Sequence, residues 1–331
     1  MNLGRVIVTG GLGFIGSHLV ELLAGNGLEV IVLDNRSTGR IENLPPSCNL
    51  VKCLDVDVSV PGSWMESFKP GDTVFHLAGL AEIVPSIENP DVYFNANVVG
   101  TQNVLEAARK SGSRKVVYAA SASCYGIPDL YPTPETAEIR PQYPYALTKY
   151  MGELIVRHWT QIYDIPSVSL RLFNVFGPRS RTSGTYGAVF GVFLAQKLAG
   201  KPFTVVGSGE QSRDFTFVGD VARAFLKAGE QHDLDGIFNI GTGQPQTINR
   251  LVELLGGDVI NIPKRPGEPD QTNADSSRFV EHTGWAPEVK FEEGIKIVLE
   301  HIDYWRSAPV WTPELIGEAT RDWFRFLDRR S

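Results

Sequence analysis

The chain has 331 residues, of which 42% are hydrophobic and 21% charged, with a formal net charge of −7 and a pI near 5.5. That length supports a large core and two domains, while the acidic balance excludes nucleic acid or an anionic membrane as the main partner and leaves any anionic ligand to local basic groups. No apolar run reaches about 18 residues, the N-terminus enters a strand with no room for a signal peptide, and Cys48, Cys53 and Cys124 lack paired metal spacing, so a cytoplasmic protein with reduced thiols and no metal is expected.

Val6-Ile7-Val8 is a short apolar run that ends at Thr9-Gly10-Gly11-Leu12-Gly13-Phe14-Ile15-Gly16. A helical pattern (Leu19, Val20, Leu22, Leu23) follows, then Gly25-Asn26-Gly27 and a second apolar run, Val30 to Leu33, ending at Asp34. This order predicts a βαβ unit whose glycines admit a tight turn, close approach of backbone to a pyrophosphate, and close helix–strand packing. The helix N-terminus would meet the phosphates, and Asp34 would accept from the adenosine ribose hydroxyls. An acid there favours NAD over NADP; Arg36 tempers the preference slightly. Further strands are expected at Leu50–Leu54, with Asp55 and Val56 placed beside the adenine, and at Thr73–Leu77, running into Ala78-Gly79. His76 on that strand is expected to pack rather than react. Asn97 opens a helix through Ala108, and Lys115–Ala120 is a strand that delivers the loop Ser121-Ala122-Ser123-Cys124-Tyr125-Gly126 at its C-terminal end, where ligands of open parallel sheets bind.

Tyr143-Pro144-Tyr145 starts a helix, because proline is well suited to the first helical position. Tyr145 and Lys149 then lie four residues apart on one face. A phenol beside an ammonium and near a helix N-terminus is pushed toward phenolate; moving it from about 10 to near 7 takes roughly 4 kcal/mol. Beyond the strand Val168–Leu172 the βα alternation fades. A polar loop is expected from Ser180 to Tyr186, a helix over Val189–Leu198, a helix from Asp220, and a strand and turn over Phe238–Gly243. Arg213 and Arg265, with Lys264 beside the latter, are candidate diphosphate clamps. Trp311 to Leu327 has the apolar spacing of a docked helix and no assigned chemistry.

These residues together resemble the extended short-chain dehydrogenase/reductases of the nucleotide-sugar epimerase/dehydratase branch. The resemblance rests on Thr9-Gly10-x-x-Gly13-x-x-Gly16, Asp34-Asn35, His76-Leu77-Ala78-Gly79, Ser121 with Tyr125-Gly126, Tyr145-x-x-x-Lys149, Arg213-Asp214 and Arg265-Pro266-Gly267, and runs to about Leu299. It implies an α/β fold: a Rossmann-type doubly wound parallel sheet, residues 1–171 plus about 214–243, with a smaller nucleotide-sugar lobe from 172–213 and 244–331. It implies Tyr145 as acid/base, Lys149 as its modulator and nicotinamide-ribose ligand, and Ser121, with Ser123 able to share the role, as partner of the reacting hydroxyl. NAD is the implied cofactor, held by Gly10, Gly13, Phe14, Ile15, Gly16, Asp34, Asn35, Asp55, Val56, Leu77, Ala78, Gly79, Asn97, Tyr145 and Lys149. Asn174, Arg213 and Arg265 fall to the sugar nucleotide.

Related 4,6-dehydratases carry an Asp-Glu pair where this chain has Ala122 and Ser123, and UDP-glucuronate decarboxylases usually place a Glu at Ser123. Both readings are weakened, which favours 4-epimerisation of a UDP-sugar; another enzyme of the branch (a 4,6-dehydratase with displaced carboxylates, a 2-epimerase, a decarboxylase or a reductase) is the alternative, and a non-catalytic binding module a remote one. Epimerases that exclude N-acetylated sugars tend to carry Tyr seven residues after the phosphate-binding arginine. Here that position is Thr272, which predicts room for a 2-acetamido group. A homodimer through the helices near Ala96–Ala108 and Tyr145–Trp159 is a family expectation.

Overall fold

The computed structural model describes residues 3–44, 49–180 and 187–328. Cys48, and all of the polar loop at 180–186 except Ser180, lie outside the described residues. Six strands come first: β1 (Val6–Thr9), β2 (Val30–Asp34), β3 (Val51–Asp55), β4 (Thr73–His76), β5 (Lys115–Ser121) and β6 (Ser167–Leu172). Four short ones follow, β7 (Val175–Phe176), β8 (Phe203–Val206), β9 (Ser212–Arg213) and β10 (Thr216–Phe217), then β11 (Gly236–Ile240), β12 (Gln246–Thr247) and β13 (Val259–Ile262). The large sheet has the order β11-β6-β5-β4-β1-β2-β3 and every pair is parallel. Order reverses at β1/β4, the crevice where doubly wound sheets hold their ligands.

The helices are α1 (Phe14–Gly25), α2 (Ile83–Glu88), α3 (Pro90–Phe94), α4 (Gly100–Ser111), α5 (Pro144–Tyr163), α6 (Val189–Leu198), α7 (Val218–Glu230), α8 (Ile248–Leu255), α9 (Ser277–Thr283), α10 (Phe291–Glu300), α11 (Pro313–Ala319) and α12 (Arg321–Leu327). The helix expected from Asn97 begins earlier: α3 runs into α4 through a π turn at Asn95–Val99. Strand residues alternate between two buried faces. Val6 and Val8 meet α1 and α7 on one side, and Ile7 meets α4 and α5 on the other. Because both faces are covered, the strands read as unbroken apolar runs.

The remaining elements form a second core, dense in rings: Phe176 stacks on Phe190 at 5.0 Å and meets Phe215, Phe217 and Phe291 edge-on. The single docked helix expected over Trp311–Leu327 is two, α11 and α12, turning at Thr320. No helix among the described residues is long and apolar enough to cross a membrane, and they contain no group of three metal-ligating side chains.

His76 packs, fully buried, in a directed chain of hydrogen bonds. The Ala78 N–H donates to Thr9 Oγ1 (3.1 Å), Thr9 to His76 Nδ1 (2.7 Å), His76 Nε2–H to Thr101 Oγ1 (2.9 Å), and Thr101 to the Asn97 carbonyl (2.6 Å). Each hydroxyl hydrogen is allotted once, which fixes the tautomer and leaves Nδ1 as an acceptor. Burial pushes the His76 pKa down to about 3, and burial likewise lowers His18 to about 4. Below the ordinary histidine value of 6.5 the unfolded chain takes up two protons that the folded chain refuses. Stability therefore falls as pH drops from 6.5 toward about 4, with the His76 part lost down to about 3. Urea midpoints are expected to be lower at pH 5 than at pH 7, and nitrogen NMR should show His76 as the neutral Nε2–H tautomer at pH 5; an imidazolium signal there would contradict the assignment.

Candidate active site

A cavity of about 920 Å³ opens along the carboxyl ends of the sheet strands and runs between the two cores. At the β1–α1 turn, Gly10 has φ +70° and a Cβ there would sit 2.7 Å from the Ala78 nitrogen; a Cβ on Gly16 would sit 2.1 Å from the Gly10 carbonyl. Gly13 caps α1, whose first turn carries no acid. Bare backbone beside an uncountered helix N-terminus fits a pyrophosphate. Phe14, Ile15, Leu77, Ala78 and Gly79 line the same end. Asp34 closes β2 and accepts from the Leu12 (3.0 Å) and Arg36 (2.8 Å) amides; burial raises its pKa. Asn35 and Val56 also line the wall.

Two expected cofactor contacts stand elsewhere. Asp55 is not in the cavity wall; it turns outward to Arg36 (3.2 Å), and Asp57 lines the wall instead. The strand ends at Asp55, and the chain beyond it brings Val56 and Asp57 to the wall. Asn97 lies behind the wall, buried, where its amide accepts from the Leu80 N–H and donates to the Leu80 carbonyl and to Thr148. It ties the β4 loop to α5.

α5 begins at Pro144, capped by Tyr143, so Tyr145 and Lys149 share a face as the spacing requires. Tyr145 Oη donates to Ser121 Oγ (3.1 Å), and Ser121 Oγ lies 2.8 Å from Ser123 Oγ. Lys149 is 7% exposed, with Nζ 4.4 Å from the Tyr118 ring centroid. The expected drift of Tyr145 toward phenolate is reversed here. Burial pushes the phenol up, against the Ser121 hydrogen bond, and burial brings Lys149 down to about 7 against the pull of Glu153. Desolvation disfavours both charged forms, so it outweighs the attraction inferred from spacing alone.

One turn beyond Lys149, Glu153 is paired in both oxygens with Arg171 of β6 (2.8 and 2.6 Å), both side chains being almost wholly buried. Arg171 also donates to Tyr125 Oη (2.8 Å) and the Glu135 carbonyl (3.2 Å), and Tyr125 donates to Asn239 on β11 (2.7 Å). The loop bearing Ser121 and Ser123 is thereby fixed against the helix bearing Tyr145.

At the other end of the cavity Arg213 donates to Glu268 (2.8 Å), and Arg265 stands 3.8 Å from the same carboxylate. Lys264 is turned outward to Asp270 and lies outside this cavity's lining. Thr272 accepts from the Asp214 N–H (3.0 Å) and donates to Asn174 Oδ1 (2.8 Å), and both Thr272 and Asn174 line the wall. Asp214 organises this region by accepting from Thr242, Gly243 and Ala274. Sequence reasoning missed Glu268, Glu82, Tyr143 and the tail residues Tyr304, Trp311 and Trp323 as lining groups. Only the Glu in Arg265-Pro266-Gly267-Glu268 carried a signal, its adjacency to a clamp arginine.

A family model described as the NAD dependent epimerase/dehydratase family matches residues 6–241. A UDP-glucose 4-epimerase of Mycolicibacterium smegmatis is 37% identical over 309 residues, covering 89% of this chain and 97% of its own length. Among solved structures, a UDP-N-acetylglucosamine 4-epimerase from Methanobrevibacter ruminantium, in complex with UDP-N-acetylmuramic acid, has a TM-score of 0.87 at 34% identity, covering 92% of this chain and 99% of that one. A Thermus thermophilus UDP-glucose 4-epimerase in complex with NAD has a TM-score of 0.82 at 36% identity, covering 90% and 99%. The glycine cradle and Asp34 fit the NAD named in the family description and bound in the Thermus structure. The chain is a member of the NAD-dependent epimerase/dehydratase family, and NAD is its cofactor.

Proposed function

We propose that the protein inverts C4 of a UDP-sugar through a 4-keto intermediate and that it accepts N-acetylated hexosamines. The observation that carries this is the hydroxyl chain Tyr145–Ser121–Ser123 with Ala122 between the serines. It can move one proton to and from an alcohol, which reversible oxidation needs, and it lacks the carboxyl pair that elimination of water needs. NAD, when bound, supplies reversible oxidation at an alcohol carbon. Tyr145 acts as phenolate, a form that the positive charge of bound NAD⁺ would favour against the burial that raises its pKa. It takes the C4-hydroxyl proton, directly or through Ser121, and later returns it once the sugar has presented its other face. Arg213 and Arg265 hold the diphosphate while the sugar turns, and a cavity of about 920 Å³ is roomy enough for that movement. Exposed Leu147, Leu154 and Ile162 on α5, with Val92 and Phe94, support a homodimer through this face.

A second reading rests on Glu82. This carboxylate lines the cavity and raises the Tyr145 pKa as a lesser cause after burial. A dehydratase with a displaced acid would use it, though elimination still requires a second group. Proton NMR of the purified protein with UDP-GlcNAc or UDP-glucose, without added NAD, separates the readings. Galacto epimers are expected; a 4-keto-6-deoxy sugar would favour Glu82 chemistry instead.

Tyr145→Phe is expected to retain NAD and lose about 10²–10⁴-fold in turnover; full activity would remove Tyr145 from the mechanism. Thr272→Tyr should lower the rate with UDP-GlcNAc relative to UDP-glucose by about tenfold or more. Thr272→Val, which removes only the hydroxyl that orients Asn174, should affect both sugars alike. Equal losses for both sugars in Thr272→Tyr would refute the steric argument.

A further inference from the structure

We propose that the C-terminal segment, residues 302–327, forms a wall of the nucleotide-sugar site, and that Trp323 is a positioning residue that holds Arg265 ready for the diphosphate. This rests on the reading of Arg265 given above. The motifs shared with the family end at Arg265-Pro266-Gly267, and the Mycolicibacterium relative is matched over 97% of its length while covering 89% of this chain. Part of this chain thus lies outside the stretch that matches the relative.

The tail crosses the cavity from one end to the other. Near the cofactor end, Tyr304 Oη donates to Asn43 (3.2 Å) and its ring lies 4.9 Å from the Arg40 guanidinium. Midway, the Trp311 carbonyl accepts from Gln196 (2.7 Å), and its side chain lines the cavity. At the far end α12 packs on α2 and buries Trp323 to 2% exposure. Trp323 belongs to the ring-rich second core and also lines the cavity.

Trp323 meets three groups there. Its Nε1–H donates to the Pro266 carbonyl (2.8 Å), fixing the residue next to Arg265. The Arg265 guanidinium lies 5.5 Å from the indole centroid, within cation–π range. Its ring is 6.1 Å from Tyr143, the N-cap of α5, which stacks at 6.5 Å on Tyr145. A guanidinium held over an indole loses less freedom on binding a phosphate. The Trp323 contact thus favours substrate affinity more than the chemical step.

The test titrates UDP into the full-length NAD-loaded protein by calorimetry and measures kcat and KM with the active sugar. Trp323→Leu is expected to weaken UDP binding about tenfold and raise KM to match, with kcat within about twofold and NAD content unchanged. On an Arg265→Ala background the same substitution should cost little further affinity, because the two residues act as one unit. Trp323→Phe keeps a ring for Arg265 and should recover most of the loss; it carries the test alone if the leucine variant does not fold, with a two- to threefold weaker affinity expected from the missing Nε1–H. Unchanged UDP affinity in the variant tested, or fully additive losses with Arg265→Ala, would overturn the proposal. If the wild type binds UDP yet turns over neither sugar, the epimerase reading falls and this inference stands; if it does not bind UDP, both fall.

Discussion

The buried ion pair between Glu153 and Arg171 is the constraint on which the site depends. Two charges removed from water are tolerated only when each finds its partner and the remaining hydrogen-bonding positions are filled. Here the filling groups come from five places: α5, β6, the serine loop through Tyr125, the Glu135 carbonyl, and β11 through Asn239. Asn239 in turn donates to the Thr133 and Asp275 carbonyls. A shift of α5 or β6 strands a charge in a medium where that costs several kcal/mol, and a shift of the others leaves a buried donor or acceptor unpaired. Tyr145, Lys149 and Glu153 recur at four-residue intervals on one helix, so locking the third locks the helix face that carries the other two.

Burial also governs how Tyr145 and Lys149 ionise. The same walls desolvate both groups, raising the phenol and lowering the ammonium to about 7. Neither can serve as a fixed charge for the other while each is disfavoured alone. Each ionises against its own neighbours, Tyr145 against burial and the Ser121 hydrogen bond, Lys149 against burial and Glu153.

Local spacing made much of this legible. A strand, glycine turn, helix, strand and acid in that order encode the β1–α1–β2 unit with Asp34 at its end, and proline followed by Tyr-x-x-x-Lys encodes the start and face of α5. What spacing does not show is what a side chain meets across the fold. Asp55 adjoins Val56 in sequence, yet its carboxylate pairs with Arg36. Asn97 looked like a ligand and instead supports the Leu80 loop from behind. The tail was legible as helical but not as part of a cavity, because nothing in apolar periodicity distinguishes a ring that packs on a core from one that enters a cleft. Glu268 was hidden for a related reason: its value lies in two arginines, one of which is 55 residues away.

The path of the chain has a consequence for how the protein is made. β11 completes the large sheet beside β6, yet it is reached only at residues 236–240, after the first half of the ring-packed core has been built. Trp285 then returns to the α1–α7 side, where its Nε1–H donates to the Asp220 carbonyl. A ribosome-bound chain ending before Asn239 would hold Glu153, Arg171 and Tyr125 with their last partner still unsynthesised. The sheet can form early from its first six strands, but the polar centre beside α5 closes only when more than two-thirds of the polypeptide has emerged. Until then the order of translation keeps the site open, and the nascent chain has every apolar reason to collapse before it has the polar means to finish.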